Sequence, residues 1–219
     1  MNVRETALIS ADLPFSAGIA TGHEIAALGS LLDRPKLILS GWVGLVRLLE
    51  DGRRQIVDLQ IAGELTAFDI RPGATAKAAY VALTPLRLVE VGDVVDAATG
   101  QPDRFPNLAA VLRMADDDAY SRLLDQVVRV GRMLAHERIA HLALDLHRRH
   151  DRVVPSLSNA FPMPLTQEVL GDVLGLSTVH VNRTLQQMRR DGLLKTAGGS
   201  WQIPDLALLN EVASGSRPA

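Results

Sequence analysis

From Gln167 to Leu174 the apolar residues fall at 169, 170, 173 and 174, a spacing that puts them on one face of a short α-helix, with Thr166 placed to cap its start. Gly175 interrupts that period. Gly175-Leu176-Ser177 reads as a tight turn, and Ser177 stands where a second helix needs its N-cap. In that second helix Val179, Val181, Leu185 and Met188 form the expected inward face, while Arg183, Arg189 and Arg190 project outward. Two short helices joined by a glycine-containing turn, with cations on the second, fit the major groove of DNA.

Other periods precede it. Residues 1 to about 36 are punctuated by Pro14, Gly18, Gly22 and Gly29, which predicts turns and brief strands and no helix. From Leu37 the chain reads LILSGWVGLVRLL, then Asp51-Gly52 as a hairpin turn, then RRQIVDLQIAGEL, in which Ile56, Leu59 and Ile61 suit a strand with one wet face. Ala79 to Val91 predicts two further strands around Thr84-Pro85. Short strands joined by Gly and Pro turns describe a small antiparallel barrel or roll.

After Pro106 the period becomes helical. Leu108, Leu112, Ala115, Ala119, Leu123, Val127, Val130 and Leu134 trace one apolar stripe, with Asp116 to Asp118 as a candidate restart and cap. The stripe fits either a helix packed along its own roll or a homodimer seam, and its length favours the seam. Leu134 to His150 predicts a second amphipathic helix, ending in cations that suit its C-terminal dipole. Asp151 to Met163, with Pro155 and Pro162, reads as a linker, and KTAGGSWQI after Leu194 reads as two short strands around Gly198-Gly199, a wing.

Composition narrows the functions. The 219 residues suffice for two domains, and aromatics at 4% make the cores aliphatic. There is no apolar run long enough to span a bilayer and no charged-then-apolar leader, so the expected location is cytoplasmic. The absence of cysteine excludes disulfides, thiolate zinc sites and a cysteine-bound iron-sulfur cluster. The net charge of −2 is no objection to a nucleic-acid partner, because attraction to phosphate is set by nearby charge; here Arg and Lys collect from Arg138 onward.

The words LTQEVLGDVLGLSTVHVNRTLQQMRRDGLL resemble the helix-turn-helix of the CRP/FNR superfamily of bacterial transcription regulators. LSGWVGLVRLLEDGRRQIVDLQIAGEL resembles the central hairpins of that family's effector domain, and Ala135, Glu137, Arg138, Ala140 and Leu142 match a pattern in the first helix of its DNA-binding domain. The first 35 residues match weakly and look shortened. The resemblance implies an α+β chain: a cyclic-nucleotide-binding-like, cupin-like antiparallel β-roll over residues 1–106, a dimerisation helix over 107–135 and a winged helix-turn-helix over 136–219. It further implies double-stranded DNA as partner, a homodimer on a palindromic operator, RNA polymerase as a second partner and no catalytic role. The alternative is a ligand-sensing roll that acts mainly through protein partners.

Arg183 matches the family's base-reading arginine, and an arginine can donate two parallel hydrogen bonds to guanine N7 and O6, an arrangement that no other base presents. Thr178, Val179, His180 and Asn182 are candidates for neighbouring bases or phosphates. Val179 departs from relatives with glutamate there and suits a thymine methyl. Thr166 and Ser177 fit caps and phosphate contacts alike, Gln167 fits a phosphate contact, and Arg189 and Arg190 fit phosphate contacts or solvated cations. For an effector, Gly63-Glu64-Leu65 matches the segment that holds ribose in cyclic-nucleotide-binding relatives. Alanine or threonine stands where their phosphate-clamping arginine belongs, and Arg71 substitutes only if the loop is rearranged. An uncompensated buried phosphate costs several kcal/mol, so cyclic AMP is not expected, and any effector is of unknown identity. His23, His136, His141, His147, His150 and His180 suit packing better than metal or haem, and no cofactor is expected.

Overall fold

A computed structural model describes residues 3–9, 13–155 and 157–216. The chain divides into two units, Met1–Leu48 with Val57–Leu123, and Leu49–Ile56 with Leu124–Ala219.

The first unit opens with a helix, α1 (Val3–Ile9), where glycine and proline spacing predicted turns and strands. Residues 1, 2 and 10–12 of that stretch lie outside the described residues. The signal for α1 is tertiary: Glu5 is fully buried and its carboxylate accepts from the backbone N–H groups of Asn107 and Leu108 and from Asn107 Nδ2. It thereby satisfies donors that the start of α3 (Pro106–Arg132) leaves without helical partners.

Among the described residues eight strands follow: β1 (Phe15–Ile19), β2 (Glu24–Ala26), β3 (Lys36–Ser40), β4 (Val43–Leu48), β5 (Arg54–Gln60), β6 (Leu65–Thr66), β7 (Ala79–Ala82) and β8 (Leu86–Glu90). They make two sheets of order β1-β8-β3-β6 and β2-β7-β4-β5, the two-sheet roll that short alternating segments predicted. Ile38, Val43, Tyr80, Ala82, Leu86 and Leu88 fill the core between them. Asp51-Gly52 does form the β4–β5 hairpin turn, with Gly52 N–H donating to Leu49 O. The expected wet face of β5 is absent. Asp58 and Gln60 are buried beside Leu59 and Ile61, because Arg122 of α3 covers the strand and pairs with both oxygens of Asp58 at 3.0–3.1 Å.

A helix without a sequence prediction, α2 (Gly92–Gly100), follows β8 and packs Val94, Val95 and Ala98 with Phe105 and Leu112. From Pro106, α3 runs without interruption, so Asp116 to Asp118 do not restart it. They are acids on the surface of a continuous helix. The predicted apolar stripe divides. Leu108 and Leu112 pack within the first unit, whereas Leu123 and Val127 are exposed beside Tyr120, Leu124 and Val128. Leu134 falls after α3 and precedes the next helix.

The second unit holds α4 (Ala135–Val153), β9 (Ala160–Pro162), α5 (Gln167–Leu174), α6 (Thr178–Arg190), β10 (Lys195–Ala197), β11 (Ser200–Gln202) and α7 (Leu206–Ala213). Ile139, Leu142 and Leu146 of α4 are buried, as its periodicity required. The stretch read as a linker contains β9, which pairs with β11 to make a three-stranded sheet β10-β11-β9, so Pro162 lies in an edge strand where its missing N–H costs nothing. Phe161 and Trp201 close this core, ring centroids 6.3 Å apart. Among the described residues no helix is long and apolar enough to cross a membrane.

Candidate nucleic-acid interface

The helix-turn-helix is built by local rules. Thr166 Oγ1 accepts from Val169 N–H and Ser177 Oγ accepts from His180 N–H, so both serve as N-caps. Gly175 ends α5 in the left-handed region at φ +64°, a conformation that glycine adopts without steric cost. Gly171 is required for space: a Cβ there would stand 2.6 Å from the Leu176 carbonyl oxygen. Leu176 N–H closes the turn on Gly171 O at 3.1 Å.

On α6 the inward residues are Val181, Thr184, Leu185 and Met188. Val179, predicted to serve both faces, is 71% exposed and belongs to the outer one. It precedes Val181 by two positions, about 200° around the helix, so the two point apart. Thr184 takes the vacated inward position, its hydroxyl satisfied by His180 O at 2.9 Å.

The outer face carries Thr178, Val179, His180, Arg183, Gln186 and Gln187, all exposed. Arg183 has no hydrogen bond or ion pair among the described residues. Two open clefts flank it. One, of about 460 Å³, lies between Leu134–His136 and the α6 residues His180, Thr184, Gln187 and Met188; the other, of about 420 Å³, follows Gln167, Thr178, Val179, Asn182 and Gln186. Asn182 is engaged: it donates to Gln167 Oε1 and accepts from Gln186 Nε2, both at 2.8 Å. These three amides tie the first turn of α5 to α6. Arg189 donates to Thr196 Oγ1 at 3.0 Å and so joins α6 to the wing strand β10.

Behind α6, burial alone would raise the Asp145 carboxyl, but Arg149 on the next turn, with Arg129 and Arg148, holds it below the ordinary carboxylate range. His141 Nδ1 meets Arg129 Nη2 at 3.0 Å. Burial, then the Arg129 charge, pushes the imidazole below its usual 6.5 and outweighs the opposing pull of Asp125 and Asp145. A histidine depressed in the folded state is neutral there and takes up a proton on unfolding, so its contribution is complete above pH 6.5 and is lost as pH falls through the folded value. The denaturant midpoint is therefore expected to fall as pH drops below about 6.5 by a step that His141→Gln, which still offers Arg129 an acceptor, lacks. An unchanged pH profile in that variant would assign the step to another group.

The predicted effector residues belong to the first unit and its sheets. Glu64 turns back on its own loop, Oε2 accepting from Ile61 N–H at 3.1 Å, with Gly63 at φ +89° and Leu65 beginning β6. Arg71 is exposed and binds both oxygens of Asp69, which it holds below the usual carboxylate pKa. Among the described residues no three His, Asp or Glu side chains cluster as a metal site.

Side chains that the sequence gave no place in the two-helix unit also meet it. Gln55, Gln126 and Arg138 reach the last carbonyls of α5. Gln55 and Gln126 are 117 and 47 residues from the carbonyls of Asp172 and Val173 that they bind, beyond any local pattern.

Residues 137–212 match the Crp-like helix-turn-helix domain family. The chain is 29% identical over 188 residues to the nitrogen fixation regulation protein FixK of Azorhizobium caulinodans, covering 86% of this chain and 74% of that one. It is 28% identical over 196 residues to the transcriptional activator protein FnrL of Cereibacter sphaeroides, covering 88% and 77%. The structure of FixK2 from Bradyrhizobium japonicum superposes with a TM-score of 0.76 at 23% identity, over 91% of this chain and 96% of that one, a likeness of fold.

Proposed function

The chain belongs to the CRP/FNR superfamily of bacterial DNA-binding transcription regulators, and we propose that within it this protein acts as a homodimer that reads a two-fold symmetric operator through α6. The observation that carries the reading is Arg183, exposed on the outer face of α6 without a partner among the described residues, between clefts open to solvent on both sides. A guanidinium in that position is free to meet guanine N7 and O6. Thr178, Val179 and His180 face neighbouring bases, with Val179 suited to a thymine methyl. Asn182 spends its amide on Gln167 and Gln186 and acts through that network. Thr166, Gln167, Ser177 and Arg189 lie at helix starts or beside the wing, where phosphate contacts fix register without reading sequence.

The dimer is supported by Leu124, Val127 and Val128 on α3, each at least half exposed. Covering them with a second copy removes apolar surface worth about 25 cal/mol per Å². A two-fold dimer then presents two copies of α6 to half-sites about one helical turn, or a multiple of it, apart. Bound at a promoter, such a dimer would act in the cytoplasm on RNA polymerase; the FnrL relative is named a transcriptional activator. Cyclic AMP is a poor candidate effector: Arg71 is committed to Asp69, and Ala74 and Ala76 are hydrogen-bonded through their backbones to Leu32 and Ser30. Residues 74–76, where the phosphate-clamping arginine is expected, carry no cationic side chain of their own.

Selection of bound sequences from random duplex DNA, followed by footprinting at several salt concentrations, tests the reading. The expected product is an inverted repeat whose affinity falls linearly on a log–log plot against salt. Binding without sequence preference at any salt concentration overturns it.

A further inference from the structure

Helix α5 ends in three carbonyls, those of Asp172, Val173 and Leu174, that its own helix leaves without N–H partners. All three are taken by side chains from outside the two-helix unit. Gln55 Nε2 donates to Asp172 O at 2.7 Å and Val173 O at 3.1 Å, Gln126 Nε2 donates to Val173 O at 2.6 Å, and Arg138 Nη1 donates to Leu174 O at 2.8 Å. Gln126 is 6% exposed; its amide also reaches Ile56 O, and its oxygen accepts from Arg129. Arg54 adds an ion pair to Asp172. The hairpin tip, α3 and α4 thus converge on the end of one two-turn helix.

From this convergence we propose that Gln55, Gln126 and Arg138 are positioning residues for DNA recognition: they hold the C-terminal end of α5 and thereby fix the direction in which α6 leaves the turn. The inference rests on the DNA-reading role given above. Only Gly175, Leu176 and Ser177 separate the held carbonyls from α6, and the close approach at Gly171 leaves that turn no slack. A shift of the α5 end therefore passes to α6. Gln126 also lies about 200° around α3 from Leu124 and Val128. One stretch of helix carries the proposed dimer seam on one side and the hold on α5 on the other.

The test uses full-length protein with Gln126→Met and Gln55→Met, which keep side-chain length and remove the donor. Affinity is measured for the selected operator and for an unrelated duplex of equal length, at a temperature where circular dichroism shows each variant folded and sedimentation shows it dimeric. The expected result is an operator affinity lowered about ten-fold per variant with affinity for the unrelated duplex unchanged. A merely structural role would lower the unfolding midpoint and leave the ratio of the two affinities at the wild-type value, and that result overturns the proposal. If Gln126→Met does not fold, Gln55→Met, on the half-buried hairpin tip, decides alone. A wild-type protein that does not distinguish the two duplexes overturns the DNA-reading role and this proposal together, whereas selective wild type with equally selective variants overturns this proposal only.

Discussion

Replacing Leu124 and Val128 together by glutamate should yield a folded monomer whose affinity for the full operator is about 10²- to 10⁴-fold below that of the wild type. Both side chains are about half exposed, at 51% and 50%, so the single chain tolerates polar atoms there. A two-fold seam would not, because it would bring four carboxylates of like charge together in an apolar interface. The loss on DNA follows from arithmetic: joined half-sites share an effective concentration, and separated ones do not. Binding to an isolated half-site should change little, which separates loss of the dimer from damage to α6. Sedimentation at micromolar concentration checks the first step and titration of full and half operators the second. Wild-type protein that sediments as a monomer, or a monomeric variant with wild-type operator affinity, would remove the seam from α3.

Arg183→Ala carries the second large effect. A bidentate arginine–guanine pair discriminates by about 1–3 kcal/mol, so the variant should lose roughly 5- to 150-fold per half-site, and the square of that on a symmetric operator. Discrimination should flatten at one base position in each half. Arg189→Ala serves as the contrast. Arg189 is exposed and tied to Thr196 of the wing, so its removal should weaken every sequence by a similar factor and reduce the salt slope by about one unit for each phosphate no longer neutralised. Titrating both variants against single-base operator changes at several salt concentrations separates the two behaviours. If Arg183→Ala weakens all operators equally, Arg183 positions the protein, and reading passes to Val179, His180 or Asn182.

The recognition unit is legible in the sequence because its rules are local. A threonine and a serine cap, a glycine in the left-handed region and apolar spacing of three and four fix α5 and α6, and each acts within a few residues. Legibility ends where the determining partner is distant in sequence. Helix α1 depends on Glu5 meeting Asn107, and β5 loses its wet face because Arg122 lies over Asp58. β9 is three residues long and exists through pairing with β11. The stripe on α3 reads as one surface, yet its first half packs inside the unit and its second half does not. Hydrophobic period reports which residues share a side, and what covers that side is a property of the whole chain. The outward set on α6 follows from the same period, except that Val179 also reads as inward, a place that Thr184 fills.

The residues of α6 lie at unequal distances from the turn at Gly175 that precedes it. Thirteen residues at about 1.5 Å rise make a rod of about 20 Å, so an angular error of about 3° at the helix start moves the far end by about 1 Å. Arg183, five residues from Thr178, moves by only about 0.4 Å for the same tilt about the helix start, less than a hydrogen bond tolerates. Arg189 and Arg190, at the far end, swing through most of the ångström. A mobile phosphate can follow such a swing and a stacked base cannot. On the proposed reading, the group that demands registration would sit near the start of the arm, and those that forgive it at its end.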